Sequence, residues 1–283
     1  MNNEIRKLEP KQLWNKFADL NAVPRASKKE ERVIEFIKQF GASLGLETIE
    51  DEVRNVIIRK PASSGFENRK TIVLQSHLDM VHQKNNDTLF DFDKQGIDMY
   101  VDQDWVRARG TTLGADNGLG VASIMAILES KEIQHPAIEA LFTIDEETGM
   151  TGALGLKGGI LKGEILLNLD TEEDTEIDIG CAGGVDVTAS RTYTSEICPV
   201  DMVGYAINVR GLNGGHSGMD IHRGLGNANK LMNRLLFEGE SFGLRVASID
   251  GGSLRNAIPR ESNSVIAVPE AKEREWLSSM EKV

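Results

Sequence analysis

Residues 71–81 read Thr-Ile-Val-Leu-Gln-Ser-His-Leu-Asp-Met-Val. Ile72-Val73-Leu74 is a continuous apolar run, the pattern of a strand buried on both faces. The run ends in Ser76-His77-Leu78-Asp79-Met80-Val81, which puts a histidine and an aspartate two residues apart. If strand geometry continues through Leu78, both side chains point the same way. His77 can then ligate a metal while Asp79 fixes the orientation of the imidazole.

Working outward, further β-type runs cover residues 55–59, 140–144 and 164–169. Ile165-Leu166-Leu167 is again continuously apolar, so both it and 72–74 are expected in the middle of a sheet. Residues 118–130, apolar at Leu119, Val121, Ile124, Ile127 and Leu128, read as a helix after the Gly-rich loop 110–116. An earlier helix starts near Ser27. Ser27 and Glu30 have capping-box spacing, and Val33, Ile37, Phe40 and Leu44 recur at helical spacing. Strands alternating with helices predict an α/β layer with a largely parallel sheet. After about Asp186 the pattern changes to Gly-rich turns, strands at 206–209 and 265–268, and a helix near 226–237. This predicts a smaller α+β unit. The expected division is a metal-binding domain 1–185 and a second domain 186–283, with Gly180-Cys181-Ala182-Gly183-Gly184 as the hinge.

Composition narrows the function. The 283 residues carry a formal net charge of −12, which repels phosphate backbones, so no nucleic-acid partner is expected. No run of eighteen apolar residues is present, so no membrane span is expected. The N-terminus lacks the apolar core of a secretory signal, and a cytoplasmic location is expected. Cys181 and Cys198 have no metal-site spacing and are read as reduced thiols. With only five histidines, His77, His82, His135, His216 and His222, a metal site must lean on carboxylates.

Four acidic or histidine clusters follow the expected strands: His77/Asp79, Asp116, Glu146/Glu147 and Asp170. In open α/β sheets ligands bind outside the carboxyl ends of strands. A lone aspartate at such a position usually caps a helix or forms a turn. Four clusters at corresponding positions point to a site. Asp116 sits in Leu113-Gly114-Ala115-Asp116-Asn117-Gly118, where glycines permit a sharp turn into the helix. Its two oxygens can bridge two metals, as a two-metal site about 3.5–4 Å across requires. Glu146 and Glu147 are adjacent and should diverge, one ligating and the other handling protons.

The order HxD, GxDN, EE(T/E)G and an aspartate after an apolar strand resembles the dinuclear zinc family of aminoacylases, succinyl-diaminopimelate desuccinylases, tripeptidases and dipeptidases. SHLDMV, GTTLGADNGLG, DEETGMTGA, LLNLDTEE and GCAGG look closest to its aminoacyl-histidine dipeptidase branch. The similarity runs from about residue 5 to at least residue 270. It implies a mixed, largely parallel sheet flanked by helices, with an inserted α+β lid domain. It also implies two Zn2+ ions, for which Mn2+ or Co2+ can substitute.

Residue by residue, the resemblance implies that His77 and Asp170 ligate one zinc, Asp116 bridges, and Glu147 ligates the second. Glu146 would be the general base and Asp79 would orient His77. A cis peptide after Asp116 is also implied. In Gly214-Gly215-His216-Ser217-Gly218, His216 would stabilise the oxyanion of the tetrahedral intermediate. In Arg255-Asn256-Ala257-Ile258-Pro259-Arg260, Arg255 would clamp the peptide carboxylate, with Asn256 and Arg260 as alternatives.

The implied activity is hydrolysis of dipeptides, of Xaa-His type such as β-alanyl-histidine. The implied partners are a short peptide and a second copy of the chain through the lid. Two other readings stay open: an N-acyl amino acid deacylase, which breaks the same kind of bond, and a non-catalytic remnant or interaction module. Family members of this branch are longer, and their chain returns from the lid to supply a final histidine. No histidine follows His222 here. The expectation is an N-terminal portion with both domains incomplete, a second metal site one ligand short, and weak or no activity on its own.

Overall fold

The computed structural model describes residues 2–171, 175–180, 183, 185 and 187–282. The chain divides into two units, Met1–Asp178 and Ile179–Val283. Cys181, Ala182 and Gly184 of the expected hinge lie outside the described residues.

In the first unit α1 (Lys11–Leu20) and α2 (Glu31–Ser43) precede β1 (Glu47–Glu50), β2 (Val56–Lys60) and β3 (Ile72–His77). A hairpin of β4 (Met99–Asp102) and β5 (Trp105–Ala108) follows. Then come α3 (Ala115–Glu129), β6 (Ile138–Thr143), the short α4 (Thr151–Gly155) and β7 (Ile165–Asn168). Five strands form one sheet in the order β1-β2-β6-β3-β7. The pairs β3–β6 and β3–β7 are parallel, while β1–β2 and β2–β6 are antiparallel. The sheet is mixed, and its parallel part is the part that carries His77.

Alternation along the strands assigns the two faces. Val56, Ile58, Leu74, Ile138, Ala140 and Phe142 pack with Val33, Ile34 and Ile37 of α2 and with Val121, Ile124 and Met125 of α3. The intervening residues Ile57, Val73 and Leu141 form a separate cluster, backed by Leu156, Ile160 and Leu161. A second side of α3 is also covered, where Ala122 joins Phe17 and Ala18 of α1, Met80, and Met99 of the hairpin. Helix α3 is sandwiched between the sheet and α1, which is why its sequence shows so little polar face.

Two expectations are corrected. The capping box does not form. Helix α2 starts at Glu31 without a side-chain cap, and Ser27 Oγ donates to Asp79 Oδ2 at 2.8 Å instead. The hydroxyl's charge-assisted bond to a buried carboxylate is stronger than the cap it could offer to the first N–H groups of α2, which water can solvate. Strand β7 is not buried on both faces. It pairs only with β3 among the described residues, and Ile165, Leu166 and Leu167 are exposed.

The second unit holds β8 (Met202–Val209), α5 (Ala228–Glu240), β9 (Arg245–Gly251), β10 (Ser262–Pro269) and α6 (Glu273–Met280). Its antiparallel sheet has the order β8-β10-β9. Ile266 and Val268 of β10 pack on Trp276 of α6, with Tyr205, Ile207 and Leu236 around them. Asn227 caps α5 by accepting from Lys230 N at 3.1 Å.

Phe142 is fully buried where the sheet meets α2 and α3. Phe142→Ala is expected to cost about 3–5 kcal/mol. The cost should be read as a lower urea midpoint at unchanged slope.

Candidate functional site

His77 is the last residue of β3 and sits opposite Thr143, the last residue of β6. The parallel register therefore brings the residues after both strands to one level. Leu78 N donates to Thr143 O at 2.8 Å and Leu169 N to Gln75 O at 2.9 Å, which carries the ladder beyond the strands on both sides of β3. Asp79, Glu146–Glu147 and Asp170 thus leave the same edge of the sheet. The turn into α3 brings in Asp116. The Asp116–Asn117 peptide is cis, as the resemblance implies.

The His77 ring is fully buried. Its Nε2 lies 3.0 Å from Asp116 Oδ1, 3.7 Å from Asp170 Oδ2 and 3.9 Å from Glu146 Oε2. Its Nδ1 lies 3.2 Å from the Asp79 carbonyl oxygen and 3.3 Å from the Asp79 carboxylate. Both Nδ1 neighbours are acceptors, so Nδ1 carries a proton and Nε2 faces the carboxylates. Asn117 Nδ2 donates to Asp170 Oδ1 at 2.6 Å and to Leu169 O at 3.0 Å, and so holds Asp170 in place.

Asp79 does more than the sequence indicates. Its carboxylate also accepts from Glu146 N at 3.0 Å and Glu147 N at 3.2 Å. One buried aspartate therefore holds both the His77 ring and the turn bearing the paired glutamates. Asp145, which sequence reasoning missed, holds that turn from the other side. It is buried at a positive φ of 54° and accepts from Thr148, Thr151 and Lys28. The only signal for it in the sequence is its place at the head of Asp145-Glu146-Glu147-Thr148-Gly149.

The electrostatics are those of an anionic cage around one cation. Burial alone would lower the His77 pKa. Hydrogen bonds to Asp116 and Asp79, with the charges of Asp79 and Asp170, overcome it and raise the pKa to about 10. The bond to His77 in turn holds Asp116 below the usual carboxylate range. Burial and then the charge of Asp116 push Glu147 up to about 7, and burial raises Glu146. Crowded carboxylates raise one another wherever no cation offsets them.

This donor set fits a divalent metal. His77, Glu146 and Asp170 bring ligand atoms within 4.8 Å of one another, and so do His77, Asp116 and Glu147. The first set contains Glu146 rather than Glu147, so proximity alone does not separate ligand from base. A third acidic set, Glu30, Asp79 and Asp145, is wholly buried. Its oxygens are taken up by Ser27, Thr148, Thr151, Lys28 and backbone N–H groups.

In the second unit, His216 Nδ1 accepts from Gly218 N at 3.1 Å and Met219 N at 3.0 Å. The neutral ring therefore carries its proton on Nε2. Ser217 N donates to Asn256 O and Ile258 N to Gly215 O, each at 2.8 Å, so the His216 loop and the segment holding Arg255 and Asn256 lie side by side. Asp220 Oδ2, an acceptor that sequence reasoning missed, takes the backbone N–H of His216 at 2.8 Å.

Residues 73–224 match peptidase family M20/M25/M40, and residues 207–283 match the peptidase dimerisation domain. The chain is 49% identical over 267 residues to the cytosol non-specific dipeptidase of Escherichia coli (strain K12), covering 94% of this chain and 55% of that protein. It is 47% identical to the aminoacylhistidine dipeptidase of Vibrio alginolyticus, whose crystal structure aligns with a TM-score of 0.64 over 98% of this chain and 56% of that one. The chain thus spans about half the length of both.

A Cβ at Gly120 would overlap Asn117 Oδ1 and Ser76 Oγ and would approach Leu169 O to 2.9 Å. Asn117 cannot yield without releasing Asp170. Gly120→Ala is expected to cost about 1–3 kcal/mol of stability in urea unfolding.

Proposed function

The chain belongs to peptidase family M20/M25/M40, and we propose that it carries the metal-holding and proton-transfer groups of a dipeptidase acting on Xaa-His substrates such as β-alanyl-histidine. The observation that carries the reading is the convergence of Asp116, Asp170 and Glu146 on the Nε2 of a buried His77. Similarity to the two dipeptidases supports the substrate class.

In this reading His77, Asp170 and Asp116 would hold one metal, and Asp116 with Glu147 would hold the second. Two divalent ions there would supply Lewis acidity, polarising the scissile carbonyl and acidifying water. Zinc is the proposed metal, with manganese or cobalt as substitutes at so carboxylate-rich a site. Asp79 keeps His77 oriented through Nδ1 and fixes the Glu146–Glu147 turn from beneath. Glu146, half-buried beside His77 with its pKa raised, accepts the proton of the attacking water and delivers it to the leaving amine. His216 Nε2–H is the proposed donor to the developing oxyanion. Arg255 and Asn256, beside it in the second unit, are the proposed contacts for the peptide carboxylate.

The dimerisation-domain match supports a homodimer through the second unit. A second copy would cover exposed Val246 and Ile249 of β9, an edge strand of the second unit's described sheet. A cytoplasmic location is proposed with this function. Among the described residues no helix is long and apolar enough to cross a membrane.

The test supplies the other half of the relatives' length. In a hybrid, this chain replaces the matching part of the Escherichia coli protein. The zinc-loaded hybrid should cleave β-alanyl-histidine in preference to an N-acetyl amino acid. Glu146→Gln in that hybrid should lower kcat by about 10²–10⁴-fold with metal content unchanged. Preference for the N-acetyl substrate would assign the chain to the deacylases instead, and full activity of the Glu146→Gln form would remove Glu146 as the base.

A further inference from the structure

Among the described residues Arg25 is the largest fully buried side chain, at 1% exposure. It lies just beyond α1, and its guanidinium reaches the loop that follows His77 and the segment that turns into α3 with Asp116. Nη1 donates to Leu78 O and Asp79 O, each at 3.1 Å. Nη2 donates to Gly114 O at 2.5 Å and to Asn21 Oδ1 at 2.9 Å. Asn21 Nδ2 reaches Leu113 O at 3.1 Å, so it supports the same loop. The Arg25 carbonyl accepts from Met80 N at 3.1 Å, which stitches the segment to the far side of Asp79.

Gly114, just before α3, and Gly118, in its first turn, make room for this side chain. A Cβ at Gly114 would lie 2.5 Å from Nη2, and one at Gly118 would lie 2.7 Å from it. Gly114 also has a φ of +70°. The Gly114-Ala115-Asp116-Asn117-Gly118 pattern is thus matched to a guanidinium as well as to a turn.

We propose that Arg25 is a positioning residue for the metal centre: it ties the loop after β3 to the loop before α3 and so sets the spacing between His77 and Asp116. The inference rests on the reading that these residues hold metal. A guanidinium is suited to the task because its planar fork serves several fixed acceptors at once, which an ammonium cannot do. The fold alone gains little from it. Its Nε has no partner, and a buried charge with an unmet donor costs stability that an apolar side chain would not. Asp79, Asp116 and Glu147 offset part of that cost, which is why burial lowers the Arg25 pKa only to about 10 and the group stays charged at neutral pH.

The test is Co2+ binding to the 283-residue chain and to its Arg25→Lys and Arg25→Met forms, followed by the visible absorption of the bound ion. Circular dichroism and Tm without metal report the fold. Arg25→Lys keeps the charge, so any change it causes reports geometry. The expected result is a folded Arg25→Lys protein with an altered cobalt spectrum and a Co2+ dissociation constant raised by about 10- to 100-fold. Arg25→Met should alter the spectrum in the same way. If only one variant folds, that variant decides. Wild-type spectrum and affinity in a folded variant would overturn the inference and leave the metal reading intact. Loss of fold in both would also overturn it, since Arg25 would then hold the domain rather than the ligands. Absence of Co2+ binding by the wild-type chain would overturn the metal reading and this inference together.

Discussion

The His77 imidazole lies 3.0 Å from Asp116, 3.7 Å from Asp170 and 3.9 Å from Glu146, with the Asp79 carboxylate 3.3 Å from its other nitrogen. Carboxylates brought this close repel one another unless a cation stands among them. Without metal, the proton on the imidazole plays that part, and the pKa of about 10 expresses how strongly the cage favours positive charge. Much of the first unit serves to hold the groups there. The parallel register of β6, β3 and β7 brings the strand ends level. Backbone N–H groups and Ser27 satisfy Asp79. Asn117 holds Asp170 and Arg25 holds the loops.

The groups that hold the site sit at unfavourable places. Asp145 and Met150, on either side of the Glu146–Glu147 turn, have positive φ angles of 54° and 52°. Asp145 is held by Thr148, Thr151 and Lys28, and Lys28 itself has a φ of 69°. Such conformations persist only where surrounding contacts enforce them, and they cluster at functional sites. Stability comes instead from the apolar layers on the two faces of the sheet, where Phe142, Ile58 and Val121 lie in one cluster and Val73 and Leu141 in the other.

What could be read from the sequence is what depends on local pattern. The runs 72–74 and 140–144, the apolar residues of 118–130 and the placing of His77, Asp79, Asp116, Glu146 and Asp170 together are visible because strand ends and helix starts carry their own signals. Contacts between distant residues are not visible in this way. Ser27 looks like a helix cap because Glu30 stands three residues on, but its hydroxyl is taken by Asp79, 52 residues away. Nothing in the local pattern around Arg25 marks it as buried, yet it is. Ile165-Leu166-Leu167 reads as a central strand and lies at the edge of the described sheet, because an apolar run does not reveal how many neighbours a strand has. Asp79 could be assigned to His77 from spacing alone, while its hold on the glutamate turn required the register of β3 against β6.

The most direct test is anomalous X-ray scattering at the zinc edge from crystals of the zinc-loaded chain. The account predicts a peak about 2.0–2.2 Å from His77 Nε2 and from carboxylate oxygens of Asp116 and Asp170. A peak among Glu30, Asp79 and Asp145, or no peak near His77 at saturating zinc, would contradict it.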